Sequence, residues 1–275
     1  MTHLKTNAAR DVTGLLLLDF SKRSLVFGQL CASQTMISPM LRQLSSISSE
    51  QRPCIWRPYA LVSLILLIAF LAWDSTTWDM QLATIWGEPS GFALRDNWWM
   101  AQIMHSGARN SGWIFFLAVL LSIWRPWGPL RALPTADRVS LFLSVLSALL
   151  AVTLIKGISQ TSCPWDLQAF GGVAPYVSHW NLWVRDGGGG HCFPAGHAST
   201  GFAFMAAYFG LRQNNAPGAI KWLILASSVG FILGISQQMR GAHFMSHTLW
   251  TAWLCWTVGW VSHCIFFLVV RKKKS

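Results

Sequence analysis

PYALVSLILLIAFLAW, residues 58–73, runs for sixteen positions without a charged side chain, with Arg52 and Arg57 before it and Asp74 and Asp79 after it. A hydrocarbon core of about 30 Å needs roughly 20 mostly apolar residues in helical form, because lipid offers no partner to a backbone N–H or C=O. This run therefore reads as a membrane-spanning helix. Five more runs of the same character follow: 112–124 (GWIFFLAVLLSIW), which is short unless it begins before Ser111, then 139–155, 198–211, 222–236 and 248–270. The fourth and fifth are separated by QNNAPGAIK at 213–221, where Asn, Pro and Gly mark a turn. Six helices put both termini on one side.

Composition agrees. Of the 275 residues 53% are hydrophobic and 11% charged, against about 25% charged in an ordinary soluble domain. A cytosolic globule and a disordered chain are both excluded. Seventeen Trp and sixteen Phe against three Tyr supply aromatic surface for the membrane interfaces. Six Cys are too few for a disulfide scaffold. The net charge of +11 would suit nucleic acid, yet its distribution points elsewhere: 16 Lys and Arg against 4 acids fall on the side of the termini, and 5 (Arg95, Arg109, Lys156, Arg185, Arg240) against 6 acids on the other. Cytoplasmic loops carry such an excess, so the basic balance is a topology signal and no nucleic-acid partner is expected. The reading is an all-α bundle of six transmembrane helices with both termini cytoplasmic. Residues 1–52 form a cytoplasmic N-terminal tail, poorly ordered or interfacial, because its apolar stretches are too short and interrupted to span, and residues 53–275 form the membrane domain. The stretches 74–110, 156–197 and 237–247 face outward.

Nearly every side chain able to do chemistry falls at those outer helix ends: Lys156, Arg185, His191, His197, Arg240, His243 and His247. Ionisable groups at membrane depth are expensive and default to function. His243 and His247, four apart, are expected to share a helical face. A zinc-protease pair would need Glu directly after the first His, and Phe244 stands there. His197 follows Pro194-Ala195-Gly196 and is expected to open the fourth helix, whose free N–H groups and positive dipole end suit an anion.

Three of these groups together resemble the signature of the type 2 phosphatidic acid phosphatase and vanadium haloperoxidase superfamily, whose motifs read K-x6-RP, PSGH and SR-x5-H-x3-D. They are Lys156 with Cys163-Pro164, Pro194-Ala195-Gly196-His197, and Ser236-Gln237 with His243 and His247. The resemblance implies a six-helix membrane phosphatase with its site at the outer, periplasmic face. Lys156 and the Gly196 N–H would hold phosphate oxygens. His243 would attack phosphorus and become phosphohistidine, and His197 would protonate the leaving alcohol and then activate water. No metal and no cofactor enter that scheme. Four positions depart from the pattern: Cys163 and Gln237 stand for Arg, Ala195 for Ser and His247 for Asp. Arg240, one turn past Gln237, and Arg185, before the Gly-rich run, are expected to replace the two guanidiniums. His247 is expected to accept the Nδ1–H of His243.

Cys163 and Cys192 are the only two of six Cys assigned to the outer face, where an oxidising compartment favours a disulfide. Gly187 to Gly190 reads as a phosphate-cradling nest or a flexible loop. His105 reads as part of a lid over the lipid access route or as an ordinary interfacial residue; His179 and His263 receive no role. The expected protein is a multi-pass enzyme of the bacterial inner (plasma) membrane that removes phosphate from a lipid phosphate, a monoester or diphosphate, at the outer leaflet. Alternatives are a phosphotransferase with the same residues and a non-catalytic lipid-binding or transport relative. The sequence leaves the particular lipid and the oligomeric state open.

Overall fold

The computed structural model describes residues 56–272, and the expectation for the N-terminal tail lies outside them. The described chain is mostly helical. Helix α1 (Trp56–Asp74) leads into a short α2 (Trp78–Ala83) and a two-residue hairpin, β1 (Gly87–Glu88) antiparallel to β2 (Gly91–Phe92). A π-helix (Trp99–Gly107) passes directly into α3 (Ala108–Leu121), so the second expected span does begin before Ser111. Next come α4 (Thr135–Ile158), an outer segment with two 3₁₀ turns (Pro164–Asp166 and Gln168–Phe170), and a helical run of α5 (Ser199–Phe202), a 3₁₀ turn (Ala203–Ala206) and α6 (Ala207–Leu211). The chain ends in α7 (Ala216–Met239) and α8 (Met245–Lys272).

Among the described residues four helices, Trp56–Asp74, Thr135–Ile158, Ala216–Met239 and Met245–Val270, are long and apolar enough to cross a membrane. The other two expected spans are helical too, but 199–211 is shorter and α3 reaches such a length only with the π-helix before it. Large aliphatic side chains point outward along the bundle: Leu61, Ile68, Ile114, Leu154 and Ile224 are each more than half exposed. Contiguous apolar surface on this scale is the signature of a lipid-facing protein.

The bundle is centred on α8, which packs against α1, α4 and the helical run 199–211. Its core joins Tyr59, Val145, Ala148, Phe202, Phe209, Cys255 and Trp256. Small residues permit the closest crossings, as expected where lipid supplies no hydrophobic drive between helices. A Cβ on Gly201 would strike the Gly230 backbone, and one on Gly234 would strike Thr248. Above the bundle a second cluster, Ala83, Phe92, Leu167, Phe170, Ala174 and Phe244, seats the outer segment. Asp79 of α2 secures the start of α8: its Oδ1 accepts from the Ser246 N–H at 3.0 Å and from Trp73 Nε1 at 3.0 Å, and its Oδ2 accepts from the Ser246 hydroxyl. A buried carboxylate here satisfies a free helix N–H and interacts favourably with the positive end of the helix dipole.

Candidate active site

Backbone hydrogen bonds draw three outer segments together. His191 N–H donates to the Ser159 carbonyl and Cys192 N–H to that of Thr161, both at 3.0 Å; Trp165 N–H donates to Gly241 at 2.9 Å, and Ala195 N–H to His247 at 3.2 Å. Cys163 and Cys192 are joined in a disulfide with a Cα separation of 5.2 Å. The end of α4, the loop before α5 and the turn between α7 and α8 thus share one floor.

Lys156 stands in the last turn of α4. Its Nζ donates to the His191 carbonyl at 2.6 Å, while His191 Nδ1 lies 3.2 Å from the Lys156 carbonyl. The lysine stem runs under Gly196, where a Cβ would meet Cδ at 3.6 Å. His197 sits in the turn just before Ser199, not within the helix. Its ring centroid is 3.9 Å from that of His105, which the π-helix carries. Arg240 follows the last turn of α7; its Nε donates to the Arg95 carbonyl at 2.9 Å and its Nη1 to Gln237 Oε1 at 3.2 Å. Gln237, standing where the family motif has Arg, therefore positions the nearby guanidinium. Both Arg95 and Arg240 lie against the Trp165 ring, at 4.6 and 5.9 Å from its centroid.

His243 is buried, and its Nδ1 lies 3.6 Å from the Cys192 sulfur. His243 and His247 do not share a helical face. The chain leaves α7 through Gly241 at φ +75°, a left-handed value that suits glycine, and α8 begins only at Met245. The turn sets the two rings 5.7 Å apart at 67°. His247 is fully buried with neither ring nitrogen in hydrogen-bonding geometry. The expected acceptance of the His243 Nδ1–H by His247 is accordingly not made. His243, His247 and Cys192 offer ligand atoms within 4.8 Å of one another, but a disulfide sulfur has no thiolate, and two imidazoles alone make a poor metal set.

The electrostatic character is predominantly cationic, although Asp96 acts on Arg240. Burial, then His105, Lys156, Arg109 and Arg240, push His197 down to about 3. Burial, then Lys156 and His197, hold His243 well below the usual imidazole value. Such a pocket favours an anion. Arg185 and Arg109 are both exposed, and of the two only Arg109 is among the charges acting on His197. Sequence reasoning missed Arg109 and treated His105 as peripheral, although their separation of four residues was a legible sign that they share a helical face.

The Gly-rich run is tied down through its neighbours. Buried Asp186 accepts from Ser162 N–H at 2.8 Å, Ser162 Oγ at 2.6 Å and Gly188 N–H at 3.1 Å, and Gly190 N–H donates to Ser162 Oγ at 3.3 Å. Two of the four glycine amides, those of Gly188 and Gly190, are thereby engaged within the protein. His179 gains a structural role: it contacts Asp74 Oδ2 at 3.2 Å and stacks on Phe193 at 4.2 Å, and the same carboxylate oxygen accepts from Trp180 and Trp250. His263 pairs with the Ser140 hydroxyl at 3.0 Å, inside the bundle.

Residues 138–271 match the family model described as PAP2 superfamily. No curated protein and no solved structure matches the chain.

Proposed function

The chain belongs to the PAP2 superfamily through residues 138–271, and on that premise we propose that it is a metal-independent membrane phosphatase that hydrolyses a lipid phosphate at the outer leaflet. The observation that carries this reading is the convergence of Lys156, His197, Arg240 and His243 on one cationic pocket, across 87 residues of sequence. Phosphatase activity fits a family whose members are generally phosphatases, and a lipid substrate fits a chain with four membrane-length apolar helices.

In the proposed reaction Lys156, Arg240, Arg109 and the Gly196 N–H neutralise the phosphate oxygens. The dianion they hold favours the imidazolium form of His197, opposing the burial and cationic repulsion that otherwise keep it neutral. His243 Nε2 attacks phosphorus, a P–N bond forms as the P–O bond to the lipid breaks, and His197 gives its proton to the departing oxygen. Neutral His197 then takes a proton from water, which attacks phosphorus, breaks the P–N bond and releases orthophosphate. The apolar tail would lie among the bundle helices. The topology proposed with this chemistry is six spans in a bacterial inner membrane, with both termini cytoplasmic and the pocket facing the periplasm. Partners beyond the bilayer and the lipid phosphate are not proposed.

The test is phosphate release from lipid monophosphates and diphosphates in detergent with a chelator present. Wild-type protein should release orthophosphate, and His243→Ala should not. Release only after divalent metal is restored, or near-normal release by His243→Ala, would reject the mechanism.

A further inference from the structure

In the motif that the sequence resembles, a carboxylate stands where this chain has His247, and His247 makes no hydrogen bond to His243. What faces Nδ1 of His243 is instead Cys192, whose sulfur lies at 3.6 Å and whose backbone also acts on this imidazole. That sulfur is fixed from three directions. It is bonded to Cys163, its own N–H is held by Thr161, and it lies 2.8 Å from the Ala242 carbonyl, immediately before His243. A thiol can donate as well as accept, whereas a disulfide sulfur and a carbonyl can only accept. An imidazole facing acceptors alone keeps its hydrogen on the nitrogen that faces them.

We propose that Cys192, pinned by its bridge to Cys163, is the positioning residue for His243: it holds the hydrogen on Nδ1 and so leaves the Nε2 lone pair free to attack phosphorus. The bridge takes over the task of the missing carboxylate without adding a negative charge to the pocket. Its kinetic consequence rests on the phosphohistidine reading; the tautomer does not. Reduction by a trialkylphosphine replaces the S–S bond by two S–H bonds, with two electrons from the phosphine and two protons from water, and the phosphine becomes its oxide. Cys192 then gains a donor and loses its tether, and the hydrogen is no longer confined to Nδ1.

Two measurements on the full chain in detergent test this. Histidine ¹⁵N spectra, with His243 assigned by its loss in His243→Gln, should show the Nδ1–H tautomer in oxidised protein and the Nε2–H form or a mixture after phosphine reduction. An Nε2–H tautomer in the oxidised protein, or no change on reduction, overturns the proposal. Because this readout needs no turnover, it decides the matter even if no lipid phosphate is hydrolysed, the result that would sink the phosphatase reading alone. In the kinetic arm the double variant Cys163→Ser/Cys192→Ser should lose at least about tenfold in kcat with KM within about twofold, since misorienting a catalytic histidine costs rate more than binding. Adding His247→Asp should raise kcat by a larger factor in that background than in the bridged protein. Equal factors in the two backgrounds refute the coupling. Should the double variant fail to fold, the same comparison is made between phosphine-reduced wild-type protein and phosphine-reduced His247→Asp.

Discussion

Acidification should destabilise this protein through His197 in a way that a single substitution isolates. In the unfolded chain its imidazole takes up a proton near the ordinary value of 6.5, whereas in the folded protein burial and then His105, Lys156, Arg109 and Arg240 hold it at about 3. Between those values the unfolded state binds more protons than the folded one, so stability falls as pH is lowered through this window and is fully present above 6.5. Working the two midpoints through the linkage relation, the loss between pH 8 and pH 5 is about 2 kcal/mol from this one group. His197→Gln keeps a polar side chain of similar size that does not titrate. Denaturant unfolding in a mild detergent, followed by tryptophan fluorescence at pH 8 and pH 5, should show wild-type protein losing about 2 kcal/mol more than the variant. The comparison cancels the other buried histidines, which are common to both proteins. Saturating inorganic phosphate should shrink the difference, because a bound anion offsets the cations that repel the imidazolium. Equal pH dependence in the two proteins would refute a depressed His197 as its source.

Removing the Arg240 guanidinium deletes a charge-assisted contact of about 1.5–3 kcal/mol, so Arg240→Ala should slow phosphate release by roughly 10- to 100-fold while leaving some turnover. Asp186→Asn turns one acceptor oxygen of a buried three-bond carboxylate into a donor, which should lower stability by about 1–3 kcal/mol and speed tryptic cleavage at exposed Arg185, read as a Tm shift and a proteolysis rate. Gly201→Ala forces a methyl group onto the Gly230 backbone; a loss of about 1–3 kcal/mol is expected, measured by denaturant unfolding with phosphate release assayed on the folded fraction.

Much of the candidate site was legible because the proposed chemistry needs few residue types at fixed offsets. Lys156, His197, Arg240 and His243 stand at helix ends that hydropathy alone can locate. Their mates were harder to find. Arg185 and Arg109 are both exposed, and no local signal tells which one acts on His197. That is decided by Asp186, whose anchorage on Ser162 buries one residue and leaves its neighbour exposed, and by the π-helix that carries His105 against His197.

By itself the sequence determined that this chain is a helical membrane protein, because the cost of burying an unpaired backbone group in lipid writes itself into long uncharged runs such as 58–73. It also showed that the basic residues cluster between particular apolar runs and which polar groups had to be explained. The pairings were decided only by tertiary structure. Whether His247 reaches His243, whether Gly188 and Gly190 keep their amides free, and what faces Nδ1 all depend on hydrogen bonds between segments far apart in the chain. Hydropathy and spacing record what each residue prefers, but not which partner the packed bundle leaves within about 3 Å of it.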